Sequence, residues 1–186
     1  TAVITGGTKG LGHAMASCLI ENGCHVMLVS RNISGAEDLI ELAKSKGVQC
    51  VYYACDVTNT TAVKDMVRAA EEQWGRIDIL INAAGMNHPK MLEDMDDATW
   101  DQILNLNLRA SFIVTRDVVR VMRQTGYGKI INISSMKSIL GVSDAGYTAY
   151  CASKGAINML TKQIACEVAK DGICLLYTSP SPRDRT

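Results

Sequence analysis

The sequence predicts a three-layer α/β/α domain built on a doubly wound parallel sheet, and two patterns predict it. Short apolar runs rich in β-branched residues alternate regularly with longer helical stretches, as in stacked βαβ units. The first such run, AVIT, passes directly into a glycine-rich turn and a helix, GGTKGLGHAMASCLIENG. That order of strand, turn and helix opens a βαβ unit.

Taken in order, the expected strands are 2–5, 25–30, 49–54, 77–81 and 129–133. Helices are expected between and after them over 11–22, 34–46, 60–74, 98–124 and 149–170. Asn22-Gly23, Lys46-Gly47 and Gly75 read as helix stops, and Thr99 or Asp97 as the cap of the fourth helix. Neither an internal repeat nor a low-complexity linker interrupts the series before the tail.

At 186 residues and 47% hydrophobic content, the chain holds enough apolar material for one core. No apolar run is long enough to span a membrane. Lys plus Arg and Asp plus Glu both total 19, so no basic excess points to nucleic acid. Seven cysteines, at 18, 24, 50, 55, 151, 166 and 174, lack the close pairing of a zinc site or a disulfide framework. A reducing cytoplasm and no metal are expected. Cys151 beside Tyr150 has no local base arrangement and reads as a buried, inert thiol.

Two groups of residues carry chemistry. Tyr150 and Lys154 lie four apart in AYCASKGAINMLTKQIA, so one helical turn brings both to the same face. A phenol has a free pKa of about 10, and an ammonium beside it stabilises the phenolate. Such a tyrosine exchanges a proton with an alcohol or carbonyl. At the other end, Gly6, Gly10 and Gly12 form TG-x-x-x-G-x-G, a spacing distinct from G-x-G-x-x-G. Glycines there let the backbone turn sharply, and the helix N-terminus directs N-H groups at a phosphate.

In a doubly wound sheet the ligand lies beyond the carboxyl ends of the strands. The residues there are 6–12, Ser30-Arg31, Asp56-Val57, 82–85 and Ser134-Ser135. With them in view, the chain resembles a short-chain dehydrogenase/reductase with a Rossmann-type fold. The matching residues are TGGTKGLG at 5–12, CDVT at 55–58, NAAG at 82–85, Asn107 in LNLNL, INISS at 131–135, and Tyr150 with Lys154. The match covers residues 1 to about 173.

The resemblance implies a role for each. Tyr150 would be the acid in ketone reduction and the base in alcohol oxidation, while Lys154 would lower the tyrosine pKa and hold the nicotinamide ribose. Ser135 would donate a hydrogen bond to the reacting oxygen, and Asn107, through its main chain, would hold a water linking Lys154 to solvent. The cofactor site would include Gly6, Thr8, Lys9, Gly10, Leu11 and Gly12, then Asn82, Ala83 and Gly85. Asp56 would contact adenine with Val57 packed beside the ring, whereas Asn82 is expected to brace the central strands. A homotetramer packed through the helices at 98–124 and 149–170 is also implied.

Ser135 precedes Tyr150 by fifteen residues, about two more than the family pattern, and Ser138 precedes it by twelve. Ser135 is preferred because it follows directly on the strand, leaving Ser138 to support it or face the substrate. Tyr147 has Cys151 four residues later rather than lysine, so it belongs to the pocket wall or the surface. At the end of the second strand, an NAD site would place Asp or Glu, but the chain reads LVSRN. Arg31 suits a 2′-phosphate and Lys9 adds a second positive charge, so NADP(H) is preferred and NAD(H) is the other candidate.

After DGI the chain reads CLLYTSPSPRDRT. That string resembles the conceptual translation of a transposase-based sequencing adapter, in which CTC TTA TAC ACA TCT encodes LLYTS. Residues 174–186 are therefore expected to lie outside the fold, and 1–173 to form a single domain lacking its last strands. The expected activity is hydride transfer between NADP(H) and a carbonyl or secondary alcohol, with a sugar, sugar acid or small polyol as substrate. A 3-oxoacyl-[acyl-carrier-protein] reductase-like enzyme and a non-catalytic NADP-binding protein are the alternatives.

Overall fold

The computed structural model describes residues 1–178. Its strands are β1 (Ala2–Thr5), β2 (Val26–Ser30), β3 (Cys50–Ala54), β4 (Ile79–Asn82), β5 (Gly128–Ile133) and β6 (Ile173–Thr178). They form one parallel sheet in the order β3-β2-β1-β4-β5-β6. The chain winds outward from β1 to β3, then crosses back to place β4 on the other side of β1. Ala2 is thus paired with Val26 on one side and Ile79 on the other. The crevice between β1 and β4 is where such a sheet binds ligands.

The helices are α1 (Gly10–Glu21), α2 (Glu37–Ser45), α3 (Thr60–Trp74), α4 (Asp97–Leu104), α5 (Ala110–Thr125) and α6 (Thr148–Val168). Side chains alternate across each strand, so the sheet feeds two apolar layers. Ala2, Ile4, Leu28 and Ile81 pack with Ile20 of α1 and Leu39 of α2. On the opposite face, Val3, Leu80 and Ile130 pack with Met66 of α3 and Val114 and Val118 of α5. No described helix is long and apolar enough to cross a membrane.

Strand ends expected from sequence differ by one or two residues from those formed. Larger differences occur at three places. Asp96, not Thr99 or Asp97, caps α4: its Oδ1 accepts from Thr99 N at 2.8 Å, and Thr99 Oγ1 donates to its Oδ2 at 2.9 Å. The helix expected over 98–124 is interrupted by a π segment, Asn105–Arg109, between α4 and α5. At its centre Asn107 is turned into the interior, 1% exposed, where its amide is fully bonded.

The third difference is β6. The sequence places residues from 174 onward outside the fold, yet 174–178 extend a strand paired along its length with β5, from Gly128↔Ile173 to Ile133↔Thr178. Alternation explains it: Ile173 and Leu175 are buried while Cys174 and Leu176 are exposed. The backbone of 173–178 pairs with the open edge of β5, while the two apolar side chains turn into the core. What the sequence suggests for 179–186 lies outside the described residues.

Candidate active site

At the end of β1 the backbone reverses through Gly6, whose φ of +68° favours glycine and whose added Cβ would lie 2.9 Å from Ala84 N. Gly12, in the first turn of α1, packs so closely on that reversal that a Cβ would meet Gly6 O at 2.3 Å. No side chain caps α1 and its first turn holds no acidic residue. The loop after β4 is stitched to this turn: Ala83 N donates to Thr5 O at 3.1 Å and Ala84 N to Thr5 Oγ1 at 3.3 Å. Thr8 is buried against Ser30, with its Oγ1 at 3.4 Å from Ser30 Oγ, whereas Lys9, Gly10 and Leu11 are exposed at the rim.

A cavity of about 530 Å³ opens beside the turn, lined among others by Gly6, Thr8, Arg31, Asp56, Val57 and Ala84. Asp56 Oδ1 accepts from Thr58 N at 2.9 Å and Thr58 Oγ1 at 2.7 Å. Those bonds hold its carboxyl below the usual carboxylate range, with a smaller pull from the Arg31 charge. Val57 is buried at its side, and Arg31 is exposed. Burial pushes the Cys55 thiol in the same wall up to about 11, so it is protonated at neutral pH.

A second cavity, of about 280 Å³, is lined among others by Gly12, Gly85, Tyr150 and Lys154. Lys154 is 6% exposed, and its Nζ donates to Ile133 O at 2.7 Å, 5.7 Å from the Tyr150 ring centroid. Tyr147 lies with its ring centroid 6.3 Å from that of Tyr150 and carries Lys137 Nζ at 4.2 Å. It is half-buried at the start of α6. Cys151, read from sequence as buried, is only half-buried on α6.

Ser134 reaches the wall of this cavity; Ser135, fully buried, is not among the lining residues. Ser135 begins a 3-10 turn (Met136–Ser138), and its Oγ accepts from Lys137 N at 3.2 Å. Ser138 Oγ accepts from Asn158 Nδ2 at 2.8 Å. Asn107 stands behind Gly85, where an added Cβ would lie 3.3 Å from its Oδ1 and 3.7 Å from Lys154 Nζ. Its main-chain carbonyl, expected to hold a water, accepts from Ser111 Oγ at 3.1 Å, and its side chain secures Met86 and Ser153.

Asn82 sits apart from the cavities, 3% exposed, with Nδ2 donating to Thr115 Oγ1 at 2.9 Å and Asn132 Oδ1 at 2.8 Å. Asn132 Nδ2 in turn donates to Thr161 Oγ1 at 2.8 Å. This buried polar ladder ties β4 and β5 to α5 and α6, so Asn82 braces strands and its side chain does not line the cofactor cleft. Asn132, Asn158 and Ser153 went unrecognised in the sequence. Asn158 had a usable signal, since it follows Lys154 by the same four residues that separate Lys154 from Tyr150.

Uncapped amides, a turn too tight for any Cβ and an adjoining pair of cavities suit a dinucleotide with its phosphates at α1. A family model for short chain dehydrogenases matches residues 1–186, and the chain belongs to that family. Among curated relatives, it is 36% identical over 179 residues to a gluconate 5-dehydrogenase of Gluconobacter oxydans, covering 96% of this chain and 69% of the relative. Among solved structures, it superposes on an NAD+-bound xylitol dehydrogenase with a TM-score of 0.90 at 32% identity, covering 96% of this chain and 68% of the other. A metagenomic short-chain oxidoreductase in complex with NADP gives 0.89 at 30%, covering 97% and 81%. The chain spans about two thirds of the length of the first relatives it matches. No group of three or more His, Cys, Asp or Glu side chains among the described residues forms a metal site.

Proposed function

We propose that the protein transfers a hydride between NADP(H) and a carbonyl or secondary alcohol, with a sugar, sugar acid or small polyol as substrate. The observation that carries this is that one cavity is lined both by Gly12 of the glycine turn and by Tyr150 and Lys154. When bound, the nicotinamide supplies or accepts the hydride. Tyr150 gives its phenolic proton to the carbonyl oxygen in reduction and takes it back in oxidation. Lys154, held by Ile133 O, keeps a positive charge beside the phenol and favours its ionised form. Ser135 donates to the oxygen on which negative charge develops.

Arg31, in the larger cavity with Asp56 and Val57, favours NADP(H) over NAD(H) by pairing with a 2′-phosphate. Asp56 and Val57 would then hold the adenine. Similarity to a gluconate dehydrogenase and a xylitol dehydrogenase supports the polyhydroxy substrate class. Phe112 on α5 and Met159 on α6, 43% and 62% exposed, support a homotetramer packed through these helices. Seven free cysteines support a reducing cytoplasm.

The test is NADPH oxidation by the protein with ketoses, keto sugar acids and 3-ketoacyl thioesters, run beside NADPH binding. Turnover of the first two classes is expected. Preference for thioesters would replace the substrate assignment, and binding without any turnover would overturn the catalytic one.

A further inference from the structure

We propose that Asn158 is a positioning residue, holding Ser135 in place by clasping the serines on either side of it. The proposal rests on the reading that Ser135 acts on the reacting oxygen. Tyr150, Lys154 and Asn158 follow one another at four-residue intervals along α6 and so share a face. Asn158 is 9% exposed, and both ends of its amide are used across to the loop after β5. Its Oδ1 accepts from Ser134 Oγ at 2.6 Å, and its Nδ2 donates to Ser138 Oγ at 2.8 Å. Ser134 Oγ also lies 3.3 Å from Lys154 O, one turn earlier on the same helix.

Between those two anchors lies the turn that begins at Ser135. Ser138 N donates to Ser135 O at 3.0 Å, and Lys137 N donates to Ser135 Oγ at 3.2 Å. A planar amide fixes the separation and orientation of the groups it bridges. Ser134 and Ser138 therefore keep a constant relation to α6, and the backbone of Ser135 between them follows. One helix face thus presents the proton donor, its cation and the brace for the hydroxyl. Ser138, twelve residues before Tyr150, belongs to the brace and not to the reacting group.

The test uses the intact protein. Asn158→Ala should lower kcat about tenfold while leaving KM for NADPH little changed, because a small misplacement of a reacting group is costly. In a Ser135→Ala background the same substitution should cause no further loss. Ser138→Ala, which removes one of the two contacts, should lower kcat by less and be equally silent in that background. Losses that multiply independently of Ser135 would overturn the proposal. Amide hydrogen exchange gives a second readout: in Asn158→Ala the peptide spanning 134–140 should exchange several-fold faster, with β1 and β4 unchanged. Unaltered exchange at 134–140, or acceleration throughout the molecule, would also overturn it. If the wild type turns over no carbonyl, the functional assignment fails, and the exchange measurement still decides the clasp.

Discussion

Asn107 and Met86 hold each other by two hydrogen bonds: Met86 N donates to Asn107 Oδ1 at 2.8 Å, and Asn107 Nδ2 donates to Met86 O at 2.9 Å. The amide thus completes the backbone pairing that the chain loses when it leaves β4. Asn107→Ala would leave the Met86 groups and Ser153 Oγ without this partner in a buried site. Each such loss costs about 1–3 kcal/mol. Urea denaturation should show a destabilisation of that order, with NADPH affinity falling as the 82–86 loop loosens.

Tyr150→Phe keeps the ring beside Lys154 and removes only the hydroxyl. Stopped-flow turnover should fall by about 10²–10⁴-fold, the usual worth of a positioned acid or base. NADPH binding, followed by fluorescence, should change little. Retained turnover would remove Tyr150 from the mechanism.

Arg31→Asp replaces a cation in the larger cavity with a carboxylate able to bond ribose hydroxyls. The ratio of kcat/KM for NADPH to that for NADH should drop at least about tenfold, as a charge-assisted phosphate contact becomes a repulsion. An unchanged ratio would assign cofactor choice elsewhere.

Gly12→Ala tests the turn without touching a charge. Its Cβ would lie 2.3 Å from Gly6 O, a backbone atom that cannot move without opening the turn. Overpacking of this kind costs about 1–3 kcal/mol. Calorimetry should show a lowered Tm, and titration a loss of NADPH affinity larger than the loss in stability alone explains.

Cys55 carries a pH prediction. Burial raises its thiol from an ordinary 9.0 to about 11. As pH climbs, the unfolded chain releases this proton before the folded one does. The contribution to stability is therefore complete below about pH 9 and is lost as pH rises through about 11. Denaturation at about pH 8 and pH 10 should show a smaller alkaline loss for Cys55→Ala than for wild type.

The parallel architecture and the two ends of the site were legible because each rests on local pattern. Gly6 and Gly12 announce a backbone geometry, and Tyr150 and Lys154 a shared helix face, whatever surrounds them. Residues acting through distant partners were not legible in that way. Asn82, Asn132 and Thr161 are separated by 50 and 29 positions, and only the pairing of β4 with β5 reveals them as one ladder. The sixth strand rests on two buried positions, Ile173 and Leu175, and pairing with β5 is what reveals it. The π segment was missed because LNLNLR, read at 3.6 residues per turn, continues its neighbours without a break.

That π segment acts as a gear change between two helices. One surplus residue in the winding advances everything after it by about 100° around the axis. Gln102 upstream and Asn105 at the segment's first position border the larger cavity; downstream, α5 turns Ile113, Val114 and Val118 into the apolar layer beneath the sheet. A uniformly wound rod would have to aim one of those stretches wrongly. Removing a single residue from the segment would keep every side chain of α5 and misdirect them all, a more damaging change to this molecule than most substitutions within the core.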